Sequence, residues 1–452
     1  MRFFIFLISL LSPLLAMASQ APTQEFRLDN GLRLIIRKDD RMPVVVSQVW
    51  YKVGSSYEHG GITGVSHALE HMMFKGTPHY PKGELDRLMA EIGARQNAAT
   101  SMDETFYYQE LPADKLELSF KLESDRMRHL LLEPSEFAKE IKVIMEERRL
   151  RTEDNPQMVA VERFRAAAFI SSPYHHPVVG WMNDLQNMTV QDLKSWYERW
   201  YVPNNAIIVV VGDVDPQQVL KLAQHYFGSL KPSVIPMIKP QVDVEPRGQR
   251  SLEVKAPAQL PILIMGYNVP SLLTAKSKED AYALEVAAAI LDGGESARFA
   301  KDIVRGRHVA SAAGIHYPLY ERLSTAFMLW GTPAHGRTVE ALKQAFLGHI
   351  KRLQTELVQQ TELDRIKTQV LAEKIYSRDS IINQANEIGS LEVVGLPWKT
   401  TDEYADRIHA VTPQQIQNVA KRYLIPDRLT ITTLNPQSSK GVSIPKGASD
   451  AQ

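Results

Sequence analysis

The stretch Thr63-Gly-Val-Ser-His67-Ala-Leu-Glu70-His71-Met-Met-Phe-Lys75-Gly76 organises the reading of everything around it. Thr63 is placed to cap a helix, Lys75 falls in its last turn, and Gly76 stands where such a helix stops. His67 and His71, four residues apart, share one face of that helix, where two imidazoles can converge on a single ion. Glu70 lies on the same face, three residues from His67. A Zn²⁺ held by neutral imidazoles makes water nucleophilic near neutral pH, and a neighbouring carboxylate takes its proton as it attacks a carbonyl. Two protein ligands are too few for a catalytic zinc. The best third donor is Glu147, in a helix that runs from Pro134 to Arg151 and cannot continue past Pro156. Glu140, two turns earlier on that face, is suited to accept a hydrogen bond from a ligand histidine. The metal itself stays open, because two imidazoles and a carboxylate also accept Mn²⁺ or Co²⁺.

Working outward, Glu25 to Ile36 forms two short alternating runs about Asn30-Gly31, a hairpin signal. Val44 to Tyr51 and Thr105 to Leu111 read as strands. The pattern predicts an α+β fold, with helices on largely antiparallel sheets. Prolines at 232, 236, 240 and 246, in a stretch with little periodicity, mark a linker over 231–250. An internal repeat supports that division. Met188-Thr-Val-Gln-Asp-Leu and Arg199-Trp-Tyr-Val-Pro203 recur 223 residues later as Val411-Thr-Pro-Gln-Gln-Ile and Arg422-Tyr-Leu-Ile-Pro426. Both copies run into β-rich segments, Ala206 to Val211 and Leu429 to Leu434. The helix Ala281 to Leu291 takes roughly the place in the second half that His67 to Phe74 has in the first. The expected organisation is therefore two homologous domains, 19–230 carrying the metal motif and 251–440 lacking it, with a flexible tail over 441–452.

At 452 residues the chain suggests two to four domains, and 44% hydrophobic with 23% charged residues excludes collagen, extended disorder and a polytopic membrane protein. Fifty-two basic against 52 acidic residues leave no field that would draw it onto nucleic acid. The chain has no cysteine, so disulfides, thiolate sites and a lipoprotein anchor are excluded, and any metal is held by His, Asp or Glu. Met1-Arg2, the apolar run Phe3 to Ala16 and Ala16-Met17-Ala18 form a secretory signal (1–18) with a cut expected after Ala18. The alternative, an uncleaved anchor, is opposed by the shortness of the run and by Pro13. The expected location is the periplasm or the exterior, with no membrane span after cleavage.

His67-Ala-Leu-Glu-His-Met-Met-Phe-Lys-Gly-Thr77 resembles the inverted zinc motif of the inverzincins, the pitrilysin, insulin-degrading-enzyme and mitochondrial-processing-peptidase family. The resemblance covers Phe26 to about Asn435 and fits the compact bacterial branch. It implies one Zn²⁺ per chain with His67, His71 and Glu147 as ligands, Glu70 as general base and Glu140 behind His71. Gly93 to Tyr107 resembles the family's active-site edge strand, which implies that Asn97 and Ala98 face substrate. Tyr174-His-His-Pro177 resembles a family loop whose histidines are structural. Two half-shells, closed like a clam, would enclose a peptide or an unfolded protein segment that adds as a strand near Asn97. Active single-chain members carry an arginine and a tyrosine seven residues apart in the second half. Anchored on Ser296-Ala-Arg298-Phe299, those positions fall on Val304 and Ser311, neither of which donates in the same way. Arg305, Arg307, Tyr317 and Tyr320 are nearby substitutes, and a homologous partner subunit bringing the pair is the other solution. The expectation is an exported zinc endopeptidase. Its rival is a peptide-binding or scaffold subunit with a relic metal site.

Overall fold

The computed structural model describes residues 23–239 and 241–437; the expected signal (1–18) and tail (441–452) lie outside them. The first sheet is built from β1 (Gln24–Arg27), β2 (Arg33–Lys38), β3 (Val44–Tyr51), β4 (Arg95–Thr100), β5 (Thr105–Pro112) and β6 (Ala206–Gly212), in the order β1-β2-β6-β3-β5-β4. The second contains β7 (Arg250–Pro257), β8 (Ile262–Val269), β9 (Ala310–His316), β10 (Thr325–Pro333) and β11 (Leu429–Gln437), in the order β7-β11-β8-β10-β9. Each has one parallel pair, β2 with β6 and β7 with β11, and is otherwise antiparallel. Apart from the extra edge strand β1, the two orders match strand for strand. The expected α+β architecture of two homologous domains is the one observed.

The helices of the first half are α1 (Val65–Met72), α2 (Glu84–Glu91), α3 (Leu116–His129), α4 (Pro134–Arg148), α5 (Pro156–Ala168), α6 (Met182–Asn187), α7 (Val190–Trp200) and α8 (Pro216–Phe227). Those of the second are α9 (Lys278–Asp292), α10 (Val339–Thr355), α11 (Gln360–Ser377), α12 (Ile381–Val394), α13 (Thr400–Ala410) and α14 (Pro413–Tyr423). The sequence repeat is the pair α7 and α14 with the strands that follow. Thr189 and Thr412 cap them, each in a reciprocal capping box, with Asp192 in one copy and Gln415 in the other. No helix among the described residues is long and apolar enough to cross a membrane.

The halves are tied by more than the segment between them. Helix α5, from the first half, lies on β7, β8 and β11 of the second sheet, while α12 of the second half lies on β3 and β6 of the first. Strand β6 is therefore covered on both faces, which explains why Ala206 to Gly212 is buried throughout and reads as a continuous apolar run. Trp50 stands opposite Ile207, and Gly266 stands opposite Thr430, so the two occupy equivalent positions in the duplicated sheets. At the first, the large Trp50 meets Gly389 of α12; at the second, the large Phe164 of α5 meets Gly266. The connection 231–249 has no helix or strand among its described residues. It is laid on the surface, with Ile235 and Ile238 packed on the first core and Asp243 accepting the Ser171 and Ser172 N–H groups at 2.8 and 3.2 Å.

Candidate metal centre and cavity

Helix α1 buries Val65, Ala68, Leu69 and Met72 against the first sheet, and so turns His67, Glu70 and His71 the other way. Its start differs from the sequence expectation. Thr63 does not cap it: the Thr63 hydroxyl donates to Asp184 at 2.5 Å, and the cap position is Gly64, with φ +88°. A Cβ there would press on the Val179 carbonyl, so glycine is required both by space and by backbone sign. The first N–H groups go instead to the buried Glu58, from Gly64 at 2.7 Å and Ser66 at 2.9 Å. Burial pushes the Glu58 carboxyl up to about 7 against the pull of those two donors.

Helix α4 runs beside α1 and supplies both carboxylates. The Nε2 atoms of His67 and His71 lie 3.8 and 3.4 Å from Glu147 Oε2, and all three ligand atoms fall within 4.8 Å of one another. Bonds of 2.0–2.1 Å set tetrahedral ligand atoms about 3.3 Å apart, so this spacing fits a zinc ion better than it fits hydrogen bonds. Burial, then His71 and Arg151, lowers the His67 pKa to about 3, which keeps its imidazole neutral as a ligand must be. Glu147 turns its other oxygen to Arg151 at 2.9 Å. Glu140 accepts from His71 Nδ1 at 2.9 Å and pairs with Lys75 at 2.5 Å. Burial opposes its ionisation, but these two partners hold its carboxyl below the usual range. Glu146 faces away and pairs with Arg149. The Glu70 carboxyl is raised by burial and accepts the Thr100 hydroxyl at 2.5 Å on Oε2.

These groups open on a cavity of about 910 Å³ between the halves, lined by His67, Glu70, His71 and Glu147, by Asn97 to Met102 of the β4 edge, and by Tyr320, Glu321 and Ser390 from the second half. Asn97 and Ala98 are both on this wall. The Asn97 side-chain oxygen accepts the Ala98 N–H at 2.9 Å and so occupies a donor of the unpaired strand edge. Val304 packs on the core, and Ser311 donates to the Thr332 carbonyl at 3.3 Å; neither lines the cavity. Of the nearby donors, Arg305 pairs with Glu295 and Tyr317 donates to the Pro270 carbonyl. Tyr320 alone of the four reaches the cavity, its buried hydroxyl without a partner among the described residues.

Several residues of the site were not anticipated. Lys75 lies past the end of α1 at Met72; in a helix running on to Lys75, as the sequence suggests, it would share a face with His71, and that i,i+4 spacing is the signal for it. Thr100, Arg165 and Glu321 reach the cavity from distant segments and carried no local signal. His175 and His176, expected as structural, stand on the cavity wall, where burial and then His175 lower His176 to about 4.

With the geometry in place, the chain can be set beside known proteins. Residues 33–180 match the family described as Insulinase (Peptidase family M16), and residues 187–370 match Peptidase M16 inactive domain. The zinc protease PqqE of Helicobacter pylori is 31% identical over 414 residues, covering 90% of this chain and 92% of that one. The beta subunit of the mitochondrial-processing peptidase of Lentinula edodes is 25% identical over 411 residues, with 89% and 87% covered. The crystal structure of a protease from Helicobacter pylori superposes with a TM-score of 0.87 at 30% identity, over 92% of this chain and all of that one.

Proposed function

The chain belongs to the insulinase family of peptidases, M16, and from that premise we propose that it is an exported zinc-dependent endopeptidase acting on peptides or unfolded protein segments. The observation that carries this reading is the convergence of His67, His71 and Glu147 beside Glu70, on the wall of a cavity that also contains the open β4 edge. A zinc ion held by these three side chains would supply Lewis-acid polarisation of the scissile carbonyl and of water. Glu70 takes a proton from the attacking water. With Oε2 engaged by Thr100, Oε1 is the atom that receives it, and burial raises this carboxyl toward the basicity a general base needs near neutral pH. Glu70 then returns the proton to the leaving amine. Glu140, fixed by Lys75, holds His71 with Nε2 toward Glu147, the orientation in which it would serve as a ligand. An extended substrate pairs with β4 once the Asn97 side chain releases the Ala98 N–H.

The leader read in residues 1–18 supports export to the periplasm or beyond. Val304 and Ser311 lie away from the cavity, which favours a second reading in which full activity needs a homologous partner chain that brings an arginine and a tyrosine, or in which this chain serves as a peptide-binding subunit. Metal content and cleavage of an unfolded protein, measured on the mature chain alone and with whatever co-purifies from its host, test both. Zinc with strong cleavage by the chain alone supports the single-chain enzyme and discards the partner. Zinc with cleavage only when the partner is present supports the pair. Absence of zinc and of cleavage in either sample overturns the proposal.

A further inference from the structure

A second group of metal-ligating side chains lies apart from the first, and shares no residue with it. The loop after α1 is closed by a bridge between Gly76 and Pro81 and projects His79 toward the end of α3, where Asp125 and His129 sit one turn apart. Asp125 Oδ1 is 2.7 Å from His79 Nδ1 and 2.8 Å from His129 Nδ1, and the two rings meet edge to face. The other oxygen, Oδ2, accepts the Thr77 hydroxyl at 2.5 Å. Thr77 is buried, and its oxygen also takes the N–H groups of His79 and Tyr80 at 3.2 and 3.0 Å. The carboxylate is thus locked from behind, only 10% exposed, while His79 and His129 are 64% and 49% exposed on the solvent side.

We propose that His79, Asp125 and His129 form a second divalent-metal site, for an ion of the Zn²⁺ or Ni²⁺ class, with its remaining positions taken by water. Two imidazoles and one carboxylate are the donor set such ions prefer. The spacing between each nitrogen and Oδ1 must widen from 2.7–2.8 Å to about 3.3 Å to admit an ion. Exposed histidines make that adjustment by small side-chain rotations, and the anchored Asp125 does not have to move. Asp125 and His129 have the i,i+4 spacing that brings side chains together on a helix. Binding here would tie the loop that follows the metal-motif helix to α3, and so act on stability through linkage.

The test counts bound Zn²⁺ on the purified chain at neutral pH after removal of free metal. Wild type is expected to retain two ions per chain, Glu147→Gln one, and the His79→Gln/His129→Gln double variant one. In the Glu147→Gln background, Zn²⁺ should raise Tm by several degrees, and adding the two histidine substitutions should abolish that shift. A wild-type count of one that is lost with Glu147→Gln overturns the second site. So does a second ion that persists when both histidines are replaced. Because the reading is taken without activity in the Glu147→Gln background, it stands or falls separately from the peptidase proposal.

Discussion

Helices α1 and α9 make the same connection in the two halves, from β3 toward the edge strand β4 and from β8 toward the edge strand β9, yet only α1 turns two imidazoles and a carboxylate toward the cavity. In α1 the face away from the sheet bears His67, Glu70 and His71, and α4 stands beside it with Glu140 and Glu147. In α9 every position from Ala281 to Leu291 except Glu285 is apolar, with Tyr282, Val286, Ala287 and Ile290 buried among neighbours that include α11, α13 and α14. Its half-buried Glu285, with Oε2 enclosed, accepts the Tyr404 hydroxyl at 2.7 Å. The niche is therefore a property of the duplicated fold, and the candidate metal centre is a property of a few side chains placed in it. The same contrast appears where the halves exchange helices: Trp50 against Gly389 in one, Gly266 against Phe164 in the other. Equivalent positions carry opposite sizes, so each helix fits only its own sheet.

The comparison is tested hardest at Glu70. Glu70→Gln should retain the metal and lose hydrolysis by about 10²–10⁴-fold, as measured by metal content beside the cleavage rate. Loss of metal would instead make Glu70 a ligand and redraw the difference between α1 and α9. Next comes the pair on α4. Glu147→Gln should lose most of its metal at the primary centre, while Glu140→Gln should weaken binding there by about 10–100-fold. Equal losses would erase the distinction between a group that binds the ion and one that orients His71.

Glu285 is the corresponding probe in the second half. Burial raises its pKa to about 7, so its folded-state pKa lies above the unfolded value of 4.5. Its contribution to stability is then fully present below pH 4.5 and lost as pH rises through 7, at a cost of up to about 3 kcal/mol. Glu285→Gln, which keeps an acceptor for Tyr404, should accordingly stabilise the protein at pH 8.5 and bring little change at pH 5. A melting-temperature difference that does not vary with pH would remove the buried charge from the account. The smallest effects are expected at the exchanged helices. Gly266→Ala and Gly389→Ala should each destabilise by about 1–3 kcal/mol through overpacking, and Trp50→Leu should restore part of the second loss. Denaturant unfolding measures both, and additivity of Gly389→Ala with Trp50→Leu would show that the two side chains do not compete for the same space.

Much of this molecule was legible in one dimension. The i,i+4 histidines, the carboxylates two turns apart on a later helix, the repeat at Thr189 and Thr412 and the proline-rich connection all depend on local periodicity and turn chemistry, which sequence records directly. The α+β class and the duplication follow from the same signals. The start of α1 did not. Thr63 has the right residue type for a cap, but Asp184, 121 residues away, takes its hydroxyl and Glu58 takes the helix N–H groups, so a tertiary contact overrides a local preference. Nor did the sequence show that α5 and α12 change places, because an amphipathic helix records that it must bury a face but not which sheet covers it. Only the folded chain brings Glu147 within reach of both imidazoles, sets Thr100 on Glu70 and places Tyr320 rather than Val304 or Ser311 at the cavity. Those are contacts between segments that share no period, and closure of the chain around its two cores is what decides them.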